Sequence, residues 1–226
     1  MPPVRNPPNR FSPVEIEWEE PPPAAKIEVI EDHSQGALSR NDSPDIPFTY
    51  SVNPYRGCTH ACAYCYARPT HEYLGFGAGT DFERKITVKL RAPELLTEAF
   101  EAPSWTGEPV CFSGVTDCYQ PLERRYRLTR RCLEVAATYR NPVQIITRSP
   151  LITRDLDVLG ALNEHGAISV TFSLPILDPA LAAALEPGAP PPSARLRAMA
   201  VLAQAGVLIG VSLGPLIPGI NDSGIP

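Results

Sequence analysis

Cys58, Cys62 and Cys65, spaced C-x3-C-x2-C in the run NPYRGCTHACAYCY, constrain this chain more than anything else in it. Three thiols this close in sequence share one loop, so the fold must hold that loop in a single shape. Gly57, directly before the first cysteine, supplies the backbone freedom for a sharp entry. The N-terminal residues are proline-rich and polar with no apolar signal-like stretch, and the reading is a cytoplasmic protein. In that setting six cysteines argue against structural disulfides and for metal or redox chemistry.

Three chemistries suit such a loop. Three thiolates reach three irons of a cubane cluster, whereas most four-iron clusters use four thiolates. The uncapped iron is then open to a ligand. Alternatively, zinc takes the three thiolates with His60 or His71 as a closed tetrahedral site. The third reading is that the cysteines are simply buried apolar side chains. Hydrophobic residues at 43% and charged residues at 20% fit an ordinary globular chain, and a net charge of -5 gives no global case for nucleic-acid binding. The longest apolar stretch, 207–217, is broken by Ser212, Gly214 and Pro215 and is too short to span a bilayer, so no membrane partner is expected.

Beyond residue 48 the text alternates short apolar runs with helical patterns. Strands are expected at 49–53, 110–113, 143–147, 168–173 and 207–213, the first delivering the cysteine loop. Helices are expected at 93–101, 122–139, 156–164, 180–185 and 194–205. Pro93 sits in a first turn, Asn141-Pro142 stops the second helix, and Gly166 and Gly206 fall at C-terminal caps. Alternation at this spacing implies βαβ units and a mainly parallel sheet covered on both faces. The fold class is therefore α/β, a partial (β/α) TIM-like barrel that looks truncated after its fifth strand. Residues 1–24 read as a disordered Pro-rich tail, 25–48 as an extended lead-in, and 49–226 as the core domain, incomplete at its C-terminus.

Smaller features carry less. Gly75-Phe76-Gly77-Ala78-Gly79 neither follows a strand nor opens a clear helix, and is read as a flexible turn rather than a dinucleotide loop. Arg124, Arg125, Arg127, Arg130 and Arg131 spread around the start of the 122–139 helix. They form a solvated face or, alternatively, a place to meet nucleic-acid phosphate. Ser113-Gly114-Val115-Thr116-Asp117, after the second strand, is a tight turn or a ligand loop offering polar groups.

The run NPYRGCTHACAYCYARPTHEYLGFGAGTDFE resembles the radical S-adenosylmethionine (SAM) superfamily, and within it the spore photoproduct lyase-related group. The similarity continues through SGVTDCYQPLERRYRLTRRCLEV, QIITRSPLITRDLDVL and AGVLIGVSLGPLIPGIND, roughly residues 40–222. It implies a partial α/β barrel with a [4Fe-4S] cluster and SAM at the carboxyl ends of the strands. Cys58, Cys62 and Cys65 would bind the cluster, and an electron from it would cleave SAM to a 5′-deoxyadenosyl radical that abstracts hydrogen from an unknown substrate. Tyr64 would lie against the adenine, Ser113, Gly114, Thr116 and Asp117 would form the motif for the SAM amino group, and Thr116 would be foremost among them. Arg148 would pair with the SAM carboxylate, and Ser173 would be a further contact. An electron donor such as flavodoxin or ferredoxin is implied, with nucleic acid among the candidate substrates. In the lyase a cysteine after the second strand returns the hydrogen atom; here that position is Gly114, flanked by Cys111 and Cys118. Tyr64 and Tyr66 match the lyase tyrosines, so Tyr66 and Cys118 are the candidates for a radical relay. DNA photoproduct repair and a zinc-stapled module without catalysis stand as the alternatives.

Overall fold

In the computed structural model, which describes residues 3–12 and 18–222, the expected parallel sheet is present. Its parallel strands are β3 (Tyr50–Val52), β6 (Val110–Phe112), β7 (Val143–Thr147), β8 (Ile168–Ser173) and β9 (Leu208–Ser212), side by side in that order. The strand β2 (Leu38–Arg40) pairs antiparallel with β3 and closes that edge. Apolar residues fill the central strands because helices cover the sheet: Val110, Phe112, Ile145, Val170 and Phe172 are wholly buried. The result is an open arc of a β/α barrel, and its five parallel strands are those expected from the sequence.

The helices follow the strands. α2 (Ala92–Glu101), α4 (Leu128–Thr138) and α5 (Leu156–Asn163) pack one against the next, and α7 (Pro192–Gln204) packs against β9 and a 3-10 turn at residues 150–155. α6 (Pro179–Leu185) begins on Asp178, whose carboxylate accepts the Leu181 N–H at 2.7 Å. Leu95, Leu96, Leu133, Leu159, Leu162 and Leu202 point from these helices into one apolar core beneath the sheet. Among the described residues no helix is long and apolar enough to cross a membrane.

Two features depart from the sequence reading. A second sheet, β1 (Glu28–Glu31), β5 (Lys85–Val88) and β4 (Tyr55–Arg56), lies beside the cysteine loop, with β5 in the centre. Its strands are too short to show a clear period, and they pair across long separations in sequence. The 122–139 helix is also two helices, α3 (Glu123–Tyr126) and α4, because Arg127 adopts a left-handed conformation (φ 52°). The break lets Glu123 turn inward and cap α4 from outside. Its carboxylate accepts the N–H groups of Thr129 (3.0 Å) and Arg130 (3.2 Å), two of the donors a helix start leaves free. It also accepts from Tyr55 Oη and from Arg154 Nη2 at 2.9 Å.

Of the expected N-terminal tail, residues 1–2 and 13–17 lie outside the described residues, as do 223–226 at the end of the expected core. Residues 5–11 dock on the segment after the cysteines. Arg5 N–H donates to Thr80 Oγ1 at 2.9 Å, the Asp81 N–H donates to Asn6 Oδ1 at 3.0 Å, and Phe11 stacks on Tyr73. The 75–79 turn lies under this contact, and α1 (Thr80–Arg84) follows it.

Glu123 is wholly buried, so truncating it leaves Tyr55 and Arg154 without their shared partner. Glu123→Ala should lower folding stability by about 3–5 kcal/mol in chemical denaturation. The exposed Glu134→Ala should cost well under about 1 kcal/mol by the same measurement.

Candidate functional site

Register sets where the strands end. Thr147 pairs with Phe172, and Ser173 pairs with Ser212, so the carboxyl ends of β7, β8 and β9 come out level. Apolar character stops there and polar side chains begin, which opens a cavity of about 430 Å³. Carboxyl ends of parallel strands are where ligands bind in such sheets. Ser113, Gly114, Thr116, Asp117, Arg148 and Ser173 line one wall, and Cys58, Cys62, Tyr64, Cys65 and Tyr66 line the other.

The cysteine loop is held by neighbours distant in sequence. β4 leads into it, and Gly57 turns it with φ 78°. A Cβ at Gly57 would sit 2.9 Å from both Ile86 Cδ1 and Phe82 O, so only glycine fits. Cys58 N–H donates to Phe82 O at 2.9 Å. The buried Gln120 amide clamps the turn from below, donating to Gly57 O at 3.0 Å and accepting from Thr59 N–H at 3.3 Å. Arg68 closes the far side, with Nη2 donating to Cys62 O at 2.9 Å.

Asp117 is the hub of the opposite wall. One carboxylate oxygen accepts from Tyr119 N–H (2.9 Å) and Thr147 Oγ1 (2.7 Å), and the other from Arg148 N–H (2.9 Å). Expected as a ligand contact, Asp117 is occupied with its own chain. Thr116 Oγ1 donates to Tyr55 O at 2.8 Å, which leaves its lone pairs free to accept from an ammonium group. Arg148 reaches across the cavity. Its Nη1 lies 2.8 Å from Cys62 Sγ, 3.2 Å from Tyr64 Oη and 2.8 Å from Glu186 Oε1, and its Nη2 donates to Ser173 Oγ at 3.1 Å. Burial works against the Arg148 charge, but the surrounding acceptors Cys62, Tyr64 and Glu186 outweigh it and hold the pKa above the usual guanidinium value. Tyr66 is 78% exposed at the cavity mouth, and its hydroxyl donates to Gly114 O.

Burial pushes the thiol of Cys58 up to about 12 and that of Cys62 up to about 11, so an empty site holds them neutral and a bound cation must displace their protons. The donor set fits a cluster: three thiols line one wall, and the other three cysteines do not reach the cavity. The zinc alternative fits less well. His71 Nε2 lies 2.8 Å from Lys85 O, and its ring packs on Phe82 and Phe76. Among the described residues no three His, Cys, Asp or Glu side chains are gathered around one ion position, which bears on the loop cysteines for either metal alike. His60 does line the cavity, with Nδ1 unpartnered and 3.5 Å from Asp117. Burial lowers its pKa to about 4 against the pull of Asp117, leaving a neutral ring.

Of the sequence candidates for cluster, ligand and relay, Cys118 is not brought here, and the zinc candidate His71 also lies outside the cavity lining. Cys118 is wholly buried in the main core, where burial pushes its thiol pKa far up. Gln120, Glu186 and Arg195 were not anticipated. Gln120 and Glu186 act through contacts 38 to 122 positions away, Arg195 through nearer ones to Glu186 and Ser173, and their one local signal is the proline-rich run at 187–192 after Glu186.

The sequence model of the Radical SAM superfamily matches residues 52–226. An uncharacterised protein of Mycobacterium tuberculosis (strain H37Rv) is 41% identical over 179 residues, 79% of this chain and 53% of that protein. An uncharacterised protein of Methanocaldococcus jannaschii is 27% identical over 198 residues, 88% of this chain and 71% of that protein. Among solved structures, spore photoproduct lyase complexed with dinucleoside spore photoproduct matches with a TM-score of 0.63 at 18% identity, over 84% of this chain and 52% of that one. A variant of the lyase with bound AdoMet and dinucleoside spore photoproduct gives 0.61 at 19%, over 83% and 50%. At such identities the likeness is one of fold. The chain spans about half the length of the mycobacterial relative and of the lyase chains.

Gly57→Ala should destabilise the folded state by about 1–3 kcal/mol, since it adds left-handed strain to a steric clash. The same variant should speed alkylation of Cys58 under native conditions. Unchanged labelling kinetics would show that Gly57 does not hold the loop shut.

Proposed function

The chain belongs to the radical SAM superfamily, and on that premise we propose that its cavity holds a [4Fe-4S] cluster and SAM and serves radical-initiated hydrogen abstraction. The observation that carries the proposal is the meeting of Cys58, Cys62 and Cys65 with Arg148, Thr116 and Ser173 around one cavity at the strand ends. When bound and reduced, this pair supplies a 5′-deoxyadenosyl radical that takes a hydrogen atom from a substrate.

The chain's own residues bind and orient. Cys58, Cys62 and Cys65 supply three thiolates and leave the fourth iron position to the ligand. Arg148 presents its guanidinium beside Cys62 and Ser173, where a planar fork suits a carboxylate. Thr116 and the backbone of 113–117 offer acceptors to an ammonium group. Tyr64 places a ring against the cavity, with its hydroxyl fixed by Glu186 and Arg148. Tyr66 covers the mouth and is the phenol nearest bulk solvent, the position suited to a hydrogen relay. The electron comes from a small redox protein such as flavodoxin or ferredoxin.

Anaerobic reconstitution with iron and sulfide should give a brown protein with about four irons and four sulfides per chain. With reductant it should release 5′-deoxyadenosine from SAM. The Cys58→Ala/Cys62→Ala/Cys65→Ala variant should stay colourless and release none. Tight zinc binding by a colourless wild-type protein, with no SAM cleavage, would overturn the proposal.

A further inference from the structure

Between α6 and α7 the chain makes a short excursion, Leu185-Glu186-Pro187-Gly188, that touches the cysteine loop at three places. Ala63 N–H donates to Leu185 O at 2.8 Å, and Gly188 N–H donates to His60 O at 2.9 Å. The third contact is Glu186 itself, whose carboxylate accepts from Tyr64 Oη and from Arg148 Nη1 on one oxygen and from Arg195 Nη2 on the other. The approach is so close that a Cβ on Gly188 would fall 2.1 Å from Thr59 O. The excursion is therefore built against the loop.

Glu186 is 2% exposed and Arg195 is 0% exposed. Burying two such charges is costly unless their remaining donors and acceptors are used. They are: Arg195 Nε donates to Pro190 O at 2.9 Å and Nη1 to Ser173 O at 3.2 Å. Arg195 thus anchors Glu186 to the end of β8 and to the proline run, both rigid. Glu186 passes that anchorage to Tyr64 and Arg148, one from each wall of the cavity. The charge balance also matters. Two guanidiniums, Arg148 and Arg195, share the Glu186 carboxylate, and with Asp117 on the same wall they face two carboxylates in all.

We propose that Glu186, seated on Arg195, is a positioning residue that sets Arg148 and Tyr64 for the carboxylate and the adenine of SAM. The proposal rests on the SAM reading of the cavity. Neutral glutamine at 186 keeps the shape but loses the charge-assisted bond to Arg148, freeing that side chain to swing toward Ser173 or solvent. Glu186 bonds to none of the three thiols directly, and Arg148 meets only Cys62 among them, so ligand binding should suffer more than cluster retention.

The test uses reconstituted wild type, Glu186→Gln, and the double variant Glu186→Gln/Arg195→Met, which also removes the buried cation left without a partner. Four quantities are read: iron content, thermal midpoint, SAM affinity by equilibrium dialysis, and the change SAM makes in the EPR signal of the reduced cluster. Glu186→Gln should keep its iron and bind SAM about 10- to 100-fold more weakly, the range for removing a group that orients a binding residue. The EPR change should be absent at SAM concentrations that saturate wild type. The double variant should regain thermal stability but not SAM affinity. Wild-type affinity in Glu186→Gln, or recovery of both stability and affinity in the double variant, would overturn the proposal and leave Glu186 a purely structural residue. Absence of SAM binding by the wild type would instead overturn the reading of the cavity, and this inference with it.

Discussion

The Asp117 carboxylate is the interaction on which the cavity depends. It lies just past β6 yet binds the side chain and backbone at the end of β7, through Thr147 Oγ1 and Arg148 N–H. Parallel neighbours have no hairpin to fix how their ends meet, so a side chain must do it. With two oxygens and three donors, Asp117 is well satisfied for a buried carboxylate. It sets the backbone of Arg148, and thereby the root of the side chain that reaches Cys62 Sγ. The same residue faces the neutral His60 ring, so the two walls of the cavity are referenced to each other through it.

The layout of the fold was legible because it is periodic. The expected 143–147 and 168–173 strands coincide with β7 and β8, and the helices differ by a residue or two at their ends. Alternation of apolar runs with helical patterns carries that information within short windows. The small sheet was missed because β4 and β5 hold six residues between them and gain their stability by pairing with each other and with β1. The break at Arg127 was missed for a related reason. Leu128, Cys132, Val135 and Ala136 keep a helical rhythm, and nothing local announces that Glu123 will cap the second helix from outside it.

The site divides along the same line. Residues whose meaning is local spacing, the three cysteines and the 113–117 turn, could be named from the chain itself, whereas Tyr64 beside them takes its role from family resemblance. Arg148 and Ser173 needed family resemblance, since each alone is an ordinary polar residue at a strand end. Gln120, Glu186 and Arg195 were invisible to both, because a buried polar residue is recognised only by the partners folding brings to it. Glu186 lies 122 positions from Tyr64 and 38 from Arg148, and both contacts exist only in three dimensions.

Position 114 is where this chain departs from the family resemblance that its cysteine loop follows. Gly114 has φ 135°, a conformation that L side chains rarely adopt, and its carbonyl accepts the Tyr66 hydroxyl. Space is not the obstacle: a Cβ there would make ordinary contacts with Ser51 and Phe48 at 3.5 and 3.6 Å. Backbone conformation is. A thiol-bearing residue at 114 would have to rotate the peptide, release Tyr66 and open the mouth of the cavity. Cys111 and Cys118 are both wholly buried and neither lines the cavity. The thiols that line the cavity are the three of the loop. The wall around Gly114 and Tyr66 is therefore a phenol held over a bare backbone.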